Sequence, residues 1–191
     1  MNGRIALLLD VCDQAFDHRA WHGTALAGAI RGLSHRDALW RPGAGRHNIW
    51  EIVLHTAYWK YIARRRLTRD PELTFPRRGS NWPRLPAPAD AAAWRRDVAL
   101  LRDEHRRLRA VIARFPAARL GARGWRSRWS NAAHIYGIAS HDLYHAGQIQ
   151  LLKRLRERLA EQLRLAPSLR YEGKGRPTKK DRREIAKLRG D

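Results

Sequence analysis

The chain has 191 residues, which is room for one compact domain or for a small domain with a tail. Its 39 Lys and Arg residues against 18 Asp and Glu residues give a formal net charge of +21. The single cysteine, Cys12, excludes an intramolecular disulfide framework and is compatible with a reducing compartment. The longest apolar stretches, such as residues 5–9, are far shorter than the roughly 18 to 20 residues of a membrane span. We therefore expect a cytoplasmic protein that forms a core and does not cross a membrane.

Helical periodicity runs through four long segments, and no stretch shows the alternation of a strand. The first predicted helix covers residues 3–32, because apolar residues recur at steps of three and four and Gly32 offers a C-terminal stop. The second predicted helix follows Asn48, a favourable N-cap with Glu51 in the capping-box position. It is expected to end before Pro71, since a residue that precedes proline disfavours helical geometry.

A long loop separates the second predicted helix from the third. Residues 71–88 contain five prolines and can hardly be helical. The third helix is predicted to begin near Asp90 and to end at Pro116, and the fourth to begin after Ser130 as N-cap. Four amphipathic helices with a loop-rich crossover between the second and third predict an all-α fold, a four-helix bundle.

The C-terminal part differs in composition from the rest. We expect the bundle to occupy residues 1–165, and residues 166–191 to form a basic, flexible tail with a short helix at 179–188. The charge is typical of a nucleic-acid-binding protein. However, 33 of the 39 basic residues are arginines spread along the chain. A solvated arginine-rich surface is therefore favoured over a nucleic-acid partner, which stays an alternative.

The spacing of the nine histidines indicates a metal site. His141 and His145 are four residues apart on the fourth helix, so their Cβ atoms lie about 5 to 6 Å apart on one face. They share the apolar stripe of that helix, and His55 has the same kind of position on the second helix. Burying imidazoles is costly unless their nitrogens are satisfied, and a shared metal ion would satisfy one nitrogen of each.

Spacing alone leaves the third ligand open. His105 on the third helix and His134, two turns before His141, compete with His55 for that place. A single histidine on an apolar face is more often a hydrogen-bonded core residue than a ligand. A lone pair of histidines four residues apart, such as His18 and His22, is likewise a weak signal.

Two segments resemble a known family. Residues 141–148, HDLYHAGQ, match the His-x-x-x-His-x-Gly-Gln signature of the DinB-like (damage-inducible) superfamily, and residues 46–59, RHNIWEIVLHTAYW, resemble its second helix. The resemblance covers about residues 3–160. It implies a four-helix bundle, often a homodimer, in which a divalent metal ion is held by three histidines. Carried over by position, the ligands are His55, His141 and His145.

The same resemblance implies the chemistry of the site. The metals associated with the family are zinc and nickel, and sometimes iron or manganese. Some members are transferases or isomerases that use a metal-bound low-molecular-weight thiol, whereas many have no established reaction. The expected activity is therefore a metal-dependent transferase or hydrolase that acts on a small-molecule substrate. A non-catalytic bundle stabilised by its metal is the alternative.

Three neutral histidines leave at least one coordination position open, which is the arrangement of catalytic sites. No carboxylate occupies an obvious base position. Asp142 projects about 100° away from His141 around the helix, and we expect it at the surface or behind a ligand. Cys12 lies on an apolar stripe and is expected to be an inert buried thiol. Four side chains are candidates for orienting a ligand or lining the pocket: Gln148, Trp59, His47 and Tyr144.

Overall fold

The computed structural model describes residues 2–165 and 178–183. The chain divides into two units, Met1–Arg154 and Leu155–Asp191. The described residues contain helices and no strand, which confirms the predicted all-α class. Within those ranges, no helix combines the length and the hydropathy that crossing a bilayer would need. The α-helices are α1 (Gly3–Phe16), α2 (Leu26–Ala29), α3 (His35–Leu39), α4 (Ile49–Thr68), α5 (Ala91–Ala113) and α6 (Asn131–Leu165).

The prediction of a single first helix over residues 3–32 is wrong. Helix α1 ends at Phe16, and only the four residues of α2 are helical again before residue 32. Gly23, in the connection, has a positive φ of 104°, which a continuous right-handed helix does not accommodate. Leu26 and Ile30 are nevertheless buried in the core. The apolar spacing therefore indicated burial correctly but not one continuous helix.

The predicted starts of the other three long helices are confirmed. The Asn48 side chain accepts a hydrogen bond from the backbone of Glu51, and the Glu51 carboxylate accepts one from the backbone of Asn48, which completes the capping box of α4. Asp90 caps α5 with a single bond, because its side chain accepts a hydrogen bond from the backbone N–H of Ala93. At α6, the Ser130 hydroxyl accepts a hydrogen bond from the N–H of Ala133 at 3.1 Å.

The four long helices share a hydrophobic core. One cluster of buried side chains contains residues of α1, α4, α5 and α6, among them Leu9, Ala63, Ile112 and Ile135. A second cluster is built around the fully buried Trp50 of α4 and also takes in α2, α3, α5 and α6. Helices α4 and α6 contribute to both clusters, so their inner faces are fixed by packing on both sides of the histidine positions.

The segment between α4 and α5, residues 69–90, contains neither helix nor strand. It is nevertheless tied to the helices on either side of it. The Tyr61 hydroxyl of α4 donates a hydrogen bond to the carbonyl oxygen of Leu73 at 2.7 Å. Arg77 Nε donates to the buried carboxylate of Asp97 on α5 at 2.9 Å, and that carboxylate also accepts from the Trp50 indole. These bonds hold the loop against α4 and α5.

The unit Leu155–Asp191 is described only in part. Residues 155–165 continue α6, and residues 179–183 are helical, within the short helix predicted at 179–188. The rest of the predicted tail, residues 166–177 and 184–191, lies outside the described residues.

Candidate metal centre

Three histidine side chains from two helices converge on one point. His55 of α4 and His145 of α6 each place Nε2 next to Nε2 of His141, at 3.0 Å and 3.1 Å respectively. One nitrogen of each ring lies within 4.8 Å of the other two. Three nitrogens bound tetrahedrally at about 2.0 to 2.1 Å from a zinc ion would lie about 3.3 Å apart. The three histidines are therefore close enough together for one ion.

Oxygen acceptors fix the orientation of two of these rings. His55 Nδ1 donates to the backbone carbonyl of Asn81 at 2.7 Å, and His145 Nδ1 donates to the side-chain oxygen of Gln148 at 2.7 Å. The Gln148 amide in turn donates to the Tyr144 hydroxyl at 3.0 Å. A neutral imidazole that donates from Nδ1 carries its lone pair on Nε2. The lone pairs of His55 and His145 therefore face His141.

The proton count of the three rings favours a cation between them. A neutral His141 has one N–H, which cannot donate to both neighbouring Nε2 atoms at once. Its Nδ1 is buried and has no hydrogen-bond partner among the described residues. At least one of the two close Nε2–Nε2 contacts therefore has no proton between its nitrogens. Two lone pairs that face each other in this way are unfavourable in a buried site. A metal ion would accept all three lone pairs, so the residues present fit such a group.

Burial keeps these imidazoles neutral. It lowers the pKa of His141 to about 3, with the neighbouring imidazoles of His145 and His55 as further causes. It lowers the pKa of His145 to about 4 and also lowers the pKa of His55, although the Asn81 carbonyl opposes the shift at His55. Neutral imidazole is the form that ligates metals, so the site is in its binding form throughout the physiological pH range.

The loop over residues 69–90 covers one side of the site. The Trp82 ring stacks on the His55 ring with centroids 3.9 Å apart, and on the His47 ring with centroids 3.5 Å apart. Trp59 donates its indole N–H to the side chain of Asn81 at 2.9 Å and meets His141 edge-on. Sequence reasoning missed Asn81 and Trp82, because nothing in a loop without periodicity indicates which of its residues face a helix.

The four candidate pocket residues occupy different positions around the site. Gln148 contacts His145 directly, and Trp59 meets two of the three histidine rings edge-on. Tyr144 meets His145 edge-on and accepts the Gln148 amide, although 63% of it is exposed. His47 stacks on Trp82 and pairs with Glu51 at 3.2 Å.

The two competing histidines lie elsewhere. His105 stacks on Phe16 with centroids 3.8 Å apart, and its Nδ1 is 3.4 Å from the ammonium of Lys60. His134 is hydrogen-bonded to the Ser127 hydroxyl at 2.8 Å, and burial lowers its pKa. Neither belongs to the three-histidine cluster.

The expectation that Asp142 lies at the surface is wrong, and among the described residues no hydrogen bond joins it to a candidate ligand. Its side chain is 1% exposed and forms an ion pair with Lys60 of α4, which is itself fully buried. Burial raises the pKa of Asp142 to about 6, although Lys60 opposes that shift. The angular position of Asp142 on α6, away from His141, suggested exposure to solvent. That face of the helix instead packs against the buried Lys60. Cys12 is buried as expected, and burial raises the pKa of its thiol to about 12.

An open cavity of about 560 Å³ adjoins the cluster. It lies between α4, the segment before α6 and the first turns of α6, and both Trp59 and His141 line it. This volume is within the range of about 300 to 1,000 Å³ that is usual for small-molecule sites. The three-histidine cluster is thus covered by Trp82 on one side and borders an accessible cavity at His141.

Comparison with models of known protein families identifies the family of this chain. The family model of the DinB superfamily matches residues 18–149, a range that includes all three histidines and well over half of the chain. The chain therefore belongs to the DinB superfamily, as the two motifs predicted. The chain matched none of the curated proteins and none of the solved structures with which it was compared.

Proposed function

We propose that His55, His141 and His145 hold one divalent metal ion inside a four-helix bundle formed by α1, α4, α5 and α6. The convergence of three Nε2 atoms, two of them oriented by oxygen acceptors on Nδ1, is the observation that carries this proposal. Imidazole ligands suit zinc and nickel, and also iron and manganese, of which the family resemblance favours the first two.

We further propose that the chain is a metal-dependent enzyme, a thiol-dependent transferase or a hydrolase, that acts on a small-molecule substrate. Three protein ligands leave a position open at the ion, and the cavity beside His141 gives a substrate access to that position. When bound, the ion supplies Lewis acidity that lowers the pKa of a water molecule or of a thiol.

The protein's own residues keep the site ready for that chemistry. Asn81 and Gln148 hold the Nδ1 protons of His55 and His145 and so direct both Nε2 lone pairs inward. Trp82 lies flat on His55 and excludes water from that side. Trp59 meets His141 edge-on and lines the cavity beside it, so the substrate would approach the ion from the His141 side.

Metal analysis of the purified protein tests the ligand set. We expect about one ion per chain in the wild type and only trace metal in the H141A/H145A double variant. The H18A/H22A double variant is a matched control, because it removes a second pair of histidines with the same spacing outside the cluster. Equal metal content in the wild type and in H141A/H145A would refute the site.

A rate measurement tests the enzymatic part separately. The metal-loaded protein is assayed for transfer of a thiol such as cysteine to an activated aryl halide, and for hydrolysis of an activated ester. We expect one of these rates to disappear on chelation, to return with the metal, and to be absent in H141A/H145A but not in H18A/H22A. A metal that raises the melting temperature without supporting either rate would instead indicate a structural role.

A further inference from the structure

The cavity beside His141 has a marked excess of positive charge. Arg66 of α4 and Arg126 and Arg128 of the segment before α6 all line it, and no Asp or Glu is among its lining residues in the described part of the chain. The adjacent His134 is held neutral by burial, with the charge of Arg66 as a further cause. The positive charge in the cavity thus belongs to the three guanidinium groups.

These three arginines differ from several others in the protein because no carboxylate neutralises them. Arg64 and Arg109, for example, form ion pairs with Glu104 and Asp13. Among the described residues, Arg66, Arg126 and Arg128 have neither an ion pair nor a hydrogen bond to a carboxylate. Arg126 and Arg128 instead lie over the rings of Trp125 and Trp129, at 4.7 Å and 5.0 Å from the ring centroids.

Two of the three arginines are held at a cost in free energy. Arg66 is half-buried, and burial lowers the pKa of its guanidinium because the charge loses contact with water. Arg126 has a positive φ of 51°, a region that residues other than glycine rarely occupy. Unpaired charge and backbone strain at the edge of a cavity are typical of binding sites, where a ligand offsets the cost.

The other residues that line the cavity indicate what the uncharged part of a ligand would contact. Trp59, Trp129 and Ile138 present apolar and aromatic surface in the same cavity. A concave site of this size encloses a small molecule, whereas a polyanion such as nucleic acid would require a longer basic surface. The cavity therefore combines an anion-binding edge, an aromatic wall and the open side of the histidine cluster.

We propose that this cavity is the substrate site, and that Arg66, Arg126 and Arg128 recognise a carboxylate or phosphate group of a small molecule whose apolar part lies against Trp59 and Trp129. This inference deepens the proposed function and rests on it for the reaction, but anion binding itself does not require the metal. Guanidinium groups suit both oxyanions because their planar N–H groups match either in a bidentate manner.

Calorimetric titration with three matched probes tests the site: benzoate, phenyl phosphate and the neutral benzamide. We expect at least one anion to bind at least about tenfold more tightly than benzamide, and its affinity to fall as salt is added. Whichever anion binds more tightly identifies the preferred group. Equal affinities for all three probes, or no binding of either anion at millimolar concentration, would overturn the proposal.

Single substitutions locate the binding. R66Q, R126Q and R128Q are each expected to reduce anion affinity about tenfold while leaving benzamide affinity unchanged. R102Q is the control, since Arg102 is exposed on α5 and outside the cavity. Because R126Q alters a residue with a positive φ, R128Q and R128K decide the matter. R128K keeps the charge but loses the planar bidentate geometry, so it is expected to recover only part of the affinity that R128Q loses. Unchanged anion affinity in both R66Q and R128Q would refute the assignment.

The same titration distinguishes this inference from the proposed function. It is made on chelator-treated protein and on zinc-loaded protein, with the metal content measured in each. Anion binding that depends on the arginines, in a protein that binds no metal, would support the cavity and refute the metal site. Metal binding through the histidines, with neither benzoate nor phenyl phosphate bound more tightly than benzamide, would support the metal site and refute the anion site. Tight binding of a single-stranded oligonucleotide with no binding of either small anion would replace the proposal with a nucleic-acid site.

Discussion

The backbone carbonyl of Asn81 accepts a hydrogen bond from His55 Nδ1 at 2.7 Å. A carbonyl oxygen cannot donate, so this loop residue decides which nitrogen of His55 faces the candidate metal centre. Asn81 has a positive φ of 62°, a conformation that asparagine tolerates better than most residues, and its side chain accepts the N–H of Trp59. The loop thus contributes to the site through its backbone, without supplying a ligand.

Substitutions at Asn81 test this relationship. N81G retains the positive φ and hence the position of the carbonyl, whereas N81A disfavours that backbone conformation. We expect N81A to weaken zinc binding about tenfold, as loss of a partner behind a ligand usually does, and N81G to bind close to wild type. Competition with a chromophoric chelator measures both affinities. W59F removes the same side-chain hydrogen bond as N81G and serves as its control. Equal losses in N81A and N81G would contradict a role for the carbonyl position.

Gln148 orients the second histidine. Q148A would leave His145 Nδ1 without its acceptor, and the ring would be free to rotate or to change tautomer. We expect zinc affinity to fall between about 10-fold and 100-fold. Q150A is the matched control, because Gln150 lies on the same helix and outside the cluster. The orienting role is wrong if chelator competition gives Q148A and Q150A the same affinity.

The buried pair of Lys60 and Asp142 is expected to dominate the stability effects near the site. K60M would leave the Asp142 carboxylate buried without its counter-ion, and loss of one partner of a buried pair costs about 3 to 5 kcal/mol. The double variant K60M/D142L removes both charges and should recover much of that loss. Urea denaturation of the metal-free proteins measures both free energies of unfolding. A loss below about 1 kcal/mol in K60M would show that the pair is not required.

Acid should destabilise the metal-free protein from about pH 6.5 downward. Unfolded histidines bind protons near pH 6.5, whereas burial holds the pKa of His105 and His141 to about 3 and that of His145 to about 4. The unfolded chain therefore binds more protons between these values, and the free energy of unfolding falls as the pH falls. Asp142, with its pKa raised to about 6, acts in the opposite direction but is a single group.

Melting temperatures of the metal-free protein between pH 7 and pH 5 check this expectation. H105Q should show a smaller decrease with falling pH than the wild type. H22Q removes an exposed histidine and should leave the decrease unchanged. A melting temperature that is constant or rises toward pH 5 would contradict the account.

The sequence predicted best the features that local chemistry determines. The caps at Asn48, Asp90 and Ser130 and the spacing of His141 and His145 follow from short-range rules, and the structure has them. The choice of His55 over His105 needed the family motif, because both are buried on an inner helix face and only packing decides which one meets α6. The prediction of one long first helix was wrong because buried apolar residues continue at helical spacing beyond Phe16, where α1 ends.

Features that depend on contacts across the fold could not be predicted. Asn81 and Trp82 reach His55 only because Tyr61 and Arg77 anchor the loop to α4 and α5. The burial of Asp142 depends on Lys60, which is 82 residues away in sequence. The three unpaired arginines of the cavity could not be predicted either, because the sequence does not distinguish them from the many arginines that are paired or solvated.

X-ray absorption at the zinc edge of the zinc-loaded protein tests the central claim most directly. We predict three imidazole nitrogens at about 2.0 to 2.1 Å in the wild type and two in H55A, with an added light ligand such as water. The H22A variant should give the wild-type spectrum. A spectrum of H55A identical to that of the wild type, or a zinc site without imidazole ligands, would contradict the assignment of His55, His141 and His145 as the metal centre.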